Sequence, residues 1–148
     1  MKILVINGPN MNFLGIREPE VYGTADYDQL RQMIMKKASQ ENVLVELYQS
    51  NHEGFIIDKL QECFGDNTDG IVINPGALAH YSYAIHDALK SLKGIPKVEV
   101  HISDIMNRAE EWRKISVTAP ACDEVIYGHG MEGYLEAIDY LVKKTVEK

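Results

Sequence analysis

The chain has 148 residues, 45% of them hydrophobic and 25% charged, with a formal net charge of −7. That length suits one domain over residues 1–148, and no run approaches the roughly 18 unbroken apolar residues of a membrane helix. An acidic chain without a basic, aromatic-rich stretch excludes nucleic acid as the expected partner, and two distant cysteines without metal spacing, Cys63 and Cys122, fit a reducing cytoplasm.

The chain begins with an apolar run at residues 2–6, too short for a signal-peptide core and suited to a buried strand. Next comes "NGPNMNFLGIREPEVYG", residues 7–23, polar and seventeen residues long. Loops of that length in compact domains are usually functional or disordered. Residues 26–41 have helical spacing with Asp26 as a cap, 43–49 read as a strand, "SNHEG" as loop scaffolding and 55–64 as an amphipathic helix. A strand at 69–74 closes on Pro75-Gly76, a helix follows at 81–92, and a strand at 97–103. A polar segment with a helical turn around "NRAEEWR" leads to a strand at 124–128 and a closing helix from residue 132 to the end.

Five strands alternating with helices imply an α/β protein, a doubly wound, flavodoxin-like parallel sheet with helices on both faces. Such sheets bind ligands outside the carboxyl ends of their strands. The unusual polar residues gather there: Asn7 to Tyr22, Gln49 to Glu53, Asn74 to His80, His101 to Arg113, and Gly128 to Gly130. Five clusters on one edge point to a catalytic site for a small molecule.

Familiar cofactor patterns are missing. There is no G-x-G-x-x-G and no P-loop, and the histidines form neither an i, i+4 pair nor H-E-x-x-H, so neither nucleotide nor metal is expected. His101 ends a strand two residues after Glu99, which puts both side chains on one face. A carboxylate beside an imidazole orients it and favours its protonated form, suiting a general acid. Tyr22 and Arg17 form a second pair. A phenol titrates near about pH 10, so a tyrosine base needs a cation, for which Arg17 and then Arg113 are the candidates; taken by itself, "PEVYG" reads rather as a loop anchor with Tyr22 packed on the surface. Asn10 and Asn12 are turn-formers or oxyanion donors. Glu53 is a charged scaffold residue, Arg108 and Arg113 are candidate binders of carboxylate or hydroxyl groups, and His86 reads as a surface residue within a helix.

Together, "NGPNMNFLGIREPEVYG", "QSNHEG", "INPGALAHYS", "VEVHIS" and "GYLEAI" resemble the type II 3-dehydroquinate dehydratases, from residue 3 to about residue 141 and in the right order. The resemblance implies a flavodoxin-like fold, no cofactor, and trans-dehydration of 3-dehydroquinate to 3-dehydroshikimate in the shikimate pathway. Residues 7–23 would then be a lid carrying the base. By position, Tyr22 resembles the base, Arg17 the arginine that assists it, His101 the general acid and Asn12 the group that stabilises the enolate. Asn74, His80, Ile102, Ser103 and Arg113 resemble substrate contacts. Asp87 resembles a residue reaching toward a neighbouring subunit, in a homododecamer built as a tetramer of trimers. Two features depart from the family: four residues rather than three separate Arg108 from Arg113, and His129 replaces an apolar residue between two glycines.

Overall fold

A computed structural model of the chain describes residues 1–16, 20 and 24–147. Strands β1 (Lys2–Asn7), β2 (Leu44–Gln49), β3 (Gly70–Asn74), β4 (Lys97–His101) and β5 (Glu124–Tyr127) form one parallel sheet in the order β2-β1-β3-β4-β5. The connecting helices include α1 (Tyr27–Glu41), α2 (Glu53–Glu62) and α3 (Tyr83–Ser91), with α4 (Glu132–Val146) closing the chain. This is the flavodoxin-like strand order, whose direction reverses between β1 and β3.

Period-two alternation assigns the strand residues to two cores. Ile3, Val5, Val72, Val98 and Val100 face α1 and α4, against Leu30, Ile34, Ala137, Ile138 and Leu141. Leu4, Ile6, Ile71 and Ile73 face α2 and α3, against Ile56, Leu60, Ile85 and Leu89. Strand β4 breaks the pattern on that second face, where it places Lys97, Glu99 and His101, all buried. Lys97 is satisfied there by the carbonyls of Leu92 and Ile95, at 2.7 and 2.8 Å from its Nζ.

Local chemistry sets the element ends. Asp26 caps α1 in a reciprocal box, accepting from the Gln29 amide while the Gln29 side chain accepts from its own, both at 2.9 Å. Helix α2 opens at Glu53 rather than two residues later, because the Ser50 hydroxyl takes the His52 amide at 3.0 Å and turns the chain early. Glu53 and Gly54 therefore lie in a helix, not in loop scaffolding. Helix α3 starts at Tyr83, since the Ser82 hydroxyl accepts from the Ile85 amide and serves as its cap. Strand β4 stops at His101, two residues before the sequence pattern does, because β5 turns away at Gly128 (φ 82°).

At the reversal point the loops after β1 and β3 lie against each other. The Gly8 amide donates to the Asn74 carbonyl at 2.8 Å. A Cβ at Gly8 would sit 2.3 Å from the Pro75 carbonyl oxygen, and one at Gly76 (φ 62°) 3.0 Å from that of Pro9. Gly8→Ala is therefore expected to force these loops apart and to destabilise the fold by about 1–3 kcal/mol, as overpacking does. Urea denaturation of the variant measures this, and an unchanged midpoint would show that the contact yields freely.

Candidate active site

The cleft opens at the carboxyl edge across β1, β3 and β4. Pro9, Asn10 and Met11 line it from the first loop, Asn74, Gly76, Ala77 and His80 from the third, and His101, Ile102, Ser103, Ile105, Arg108 and Arg113 from the fourth.

Its floor is a buried chain of polar side chains. The Tyr134 phenol, on α4, donates to Asn7 Oδ1 at 2.5 Å and accepts from Asn74 Nδ2 at 2.9 Å. Asn7 Nδ2 reaches the Tyr27 hydroxyl at 3.4 Å, and Asn74 Oδ1 takes the Gly76 amide at 3.1 Å. The second amide proton of Asn74 points toward Met11 Sδ, 3.5 Å away in the cleft wall, a weak acceptor that a substrate hydroxyl can replace. Burial pushes the Tyr134 phenol far above its ordinary pKa, so it stays a neutral hydroxyl.

The opposite wall holds the pair expected from strand alternation. His101 Nε2 is 2.8 Å from Glu99 Oε2, with the carboxylate wholly buried. Burial pushes the Glu99 carboxyl up, but hydrogen bonds from His101, Ser116 and Thr118 outweigh it and hold the group below the usual range. Glu99 is thus an anion that only accepts, and His101 Nε2 carries a proton toward it, leaving Nδ1 as the other ring nitrogen.

His80 Nδ1 donates to the Ile115 carbonyl at 2.7 Å, which leaves Nε2 as an acceptor. Burial first, then the charges of His101 and Arg113, lowers its pKa, so His80 is neutral at neutral pH. The Arg113 guanidinium stacks on Trp112, 4.2 Å from the ring centre. Its buried Nε lies 3.3 Å from Glu110 Oε2 without hydrogen-bond alignment. Arg108 Nη1 donates to the Ser103 hydroxyl at 3.3 Å, so both arginines serve the cleft despite their altered spacing.

The remaining expected residues divide between the cleft and its surroundings. Asn10 lines the cleft in a left-handed conformation, its amide donating to Asn51 Oδ1 at 3.0 Å. Asn12 stands exposed on the adjoining 3-10 turn, with Oδ1 3.5 Å from Gln49 Nε2. Glu53, on α2, and exposed Asp87, on α3, do not line the cleft. His86 is half-buried, not a plain surface residue, because Nδ1 pairs with the Val117 carbonyl at 2.8 Å. His129 pairs with Glu136 at 2.6 Å on the surface. Arg17 and Tyr22 lie outside the described residues. Sequence reasoning missed Tyr134, Ser116 and Thr118. Tyr134 stands within the quoted "GYLEAI", but its partners Asn74 and Asn7 are 60 and 127 residues away in sequence. Among the described residues no cluster of His, Cys, Asp and Glu is arranged to hold a metal, and no helix is long and apolar enough to cross a membrane.

The family model described as dehydroquinase class II matches residues 1–142. The chain belongs to the class II dehydroquinase family. It is 55% identical to the 3-dehydroquinate dehydratase of Lachnospira eligens over 148 residues, the whole of both chains. Among solved structures, the type II dehydroquinase of Butyrivibrio crossotus is 60% identical, with a TM-score of 0.94 over 95% of this chain and 97% of that one. That of Propionibacterium acnes is 39% identical, with a TM-score of 0.91 over 96% of each.

The site leads to two expectations. Tyr134→Phe strips the partner from two buried amides and should cost about 1–3 kcal/mol, read as a lower melting temperature; an unchanged one would mean that both amides find other partners. Acid should also weaken the fold. Glu99 and His80 both have folded-state pKa values below their ordinary ones, so each contributes stability that is complete above its unfolded value. Those unfolded values are about 4.3 and about 6.5. Urea midpoints should therefore fall as pH drops, first below the histidine value and more steeply below the glutamate one. Midpoints that stay level from neutral pH down to the carboxylate range would contradict both shifts.

Proposed function

We propose that this class II dehydroquinase is a lyase that converts 3-dehydroquinate to 3-dehydroshikimate by trans elimination through an enolate, with Tyr22 as base and His101 as general acid. The names of the relatives support the reaction. The observation that carries the mechanism is the Glu99–His101 pair in the cleft wall, a proton donor braced from behind by a fully buried anion.

Tyr22 takes the proton next to the ketone, with Arg17 stabilising its phenolate. The electron pair moves onto the ketone oxygen, and the resulting enolate is stabilised by Asn12, directly or through water. The enolate then collapses to expel the β-hydroxyl, which leaves as water with a proton from His101. His101 returns to its resting state from solvent, and Tyr22 loses the proton it gained, so atoms and charge balance. Asn74, neutral His80, Ser103 with the backbone of Ile102, and the Arg113 guanidinium hold the substrate's hydroxyl and carboxylate groups. No step calls for a cofactor. Asp87, off the cleft of its own chain, fits a contact to a neighbouring subunit's site in a homododecamer in the cytoplasm.

Tyr22→Phe removes one oxygen and should leave the fold intact while kcat falls at least about 10²-fold, the low end for general acid–base catalysis. KM should change less, because the lost interaction acts mainly in the transition state. Conversion of 3-dehydroquinate followed by the ultraviolet absorbance of the conjugated enone, with circular dichroism as the folding check, measures both. A folded Tyr22→Phe enzyme with near-normal kcat would assign the proton to another group.

A further inference from the structure

Residues 115–118 run as a strap beside the polar face of β4. Two histidines and a backbone bond pin this strap to the third loop and α3. His80 Nδ1 binds the Ile115 carbonyl, His86 Nδ1 binds that of Val117, and the Val117 amide donates to the Ala79 carbonyl at 2.7 Å. So held, the strap delivers two hydroxyls to one carboxylate. Ser116 Oγ donates to Glu99 Oε2 at 2.6 Å, and Thr118 Oγ1 donates to Glu99 Oε1. Thr118 is wholly buried. Because an ionised carboxylate only accepts, each hydroxyl has its single proton committed to Glu99. The 3.2 Å approach of the two hydroxyls to each other is therefore a contact without a proton to share. The Ala119 amide closes the arrangement by donating to Ser116 Oγ at 3.1 Å.

We propose that Ser116 and Thr118 are positioning residues that fix the tautomer of His101 by keeping Glu99 ionised. The inference rests on His101 being the general acid. A carboxyl stripped of water at the centre of β4 favours its neutral form unless donors replace the lost solvent. Three donors do so here: His101 Nε2, Ser116 and Thr118. Without the hydroxyls the shared proton moves from His101 Nε2 to Glu99, and the ring's remaining proton sits on Nδ1. Such a ring is a poor acid. To release Nδ1–H it must become an imidazolate or first recover the proton from Glu99. With the hydroxyls in place, the ring keeps Nε2–H at all times and gains or loses only the proton that reaches substrate.

Thr118→Val preserves shape and removes the hydroxyl, Thr118→Ser keeps the hydroxyl, and Ser116→Ala removes the second donor. Histidine labelled with ¹⁵N in the ring reports the tautomer by solid-state NMR, with His101→Asn identifying its signals. Wild type should show a protonated Nε2 across the pH range in which Glu99 is ionised. Thr118→Val and Ser116→Ala should shift His101 toward the Nδ1–H form and lower kcat about tenfold or more, a part of the roughly 10²–10⁴ that general acid catalysis contributes, with KM moving less. Thr118→Ser should restore both readouts. Should Thr118→Val not fold, Ser116→Ala and Thr118→Ser decide the matter. Folded variants with wild-type tautomer and kcat, or Thr118→Ser as impaired as Thr118→Val, would overturn the inference. If His101→Asn retains kcat, the general-acid assignment itself fails, an outcome separate from the tautomer signal.

Discussion

The Tyr134 hydroxyl, sealed under the sheet edge, has no water to turn to and satisfies itself by bridging Asn7 and Asn74. These asparagines end adjacent strands in direct register, β1 and β3, where the strand order reverses. One phenol from the last helix therefore sets the spacing of the two loops between which the cleft opens. Gly8 and Gly76 permit that spacing, because any side chain there would meet the opposite backbone. The bridge also fixes which way the Asn74 amide faces, and Asn74 is in the cleft wall. Burial without solvent turns a stability requirement into catalytic geometry, since an amide with one permitted partner has one permitted orientation.

Strand β4 extends the same logic to charge. Its inner face carries Lys97, Glu99 and His101 where a neighbouring strand carries Ile71 and Ile73. Burying such groups costs several kcal/mol each unless they are paired and hydrogen-bonded. The chain meets this with a long crossing segment after β4 that supplies hydroxyls to Glu99, while carbonyls after α3 hold Lys97. The segment carries cleft residues Arg108 and Arg113 on the same route. Covering the polar face of β4 and building the substrate wall are thus one task performed by one stretch of chain.

The sequence by itself determined the layout that follows from periodicity and local chemistry. Apolar strands alternating with amphipathic helices imply the doubly wound sheet, Asp26 marks the start of α1, and period two puts Glu99 and His101 on one face. Strand polarity alone then gathers the polar loops at one edge, and the resemblance to a known family singles out Asn74, His80, Ile102, Ser103 and Arg113 within them. The exact ends were not. The Ser50 and Ser82 hydroxyls and the turn at Gly128 moved three boundaries, since capping depends on which side chain reaches which amide. Only the tertiary structure decided what stands behind the site. Tyr134 meets Asn7 across 127 residues, and Ser116 and Thr118 meet Glu99 across 17 and 19. No local pattern encodes those pairings, because they arise only when burial removes water and each polar group must take the partner the fold brings within reach.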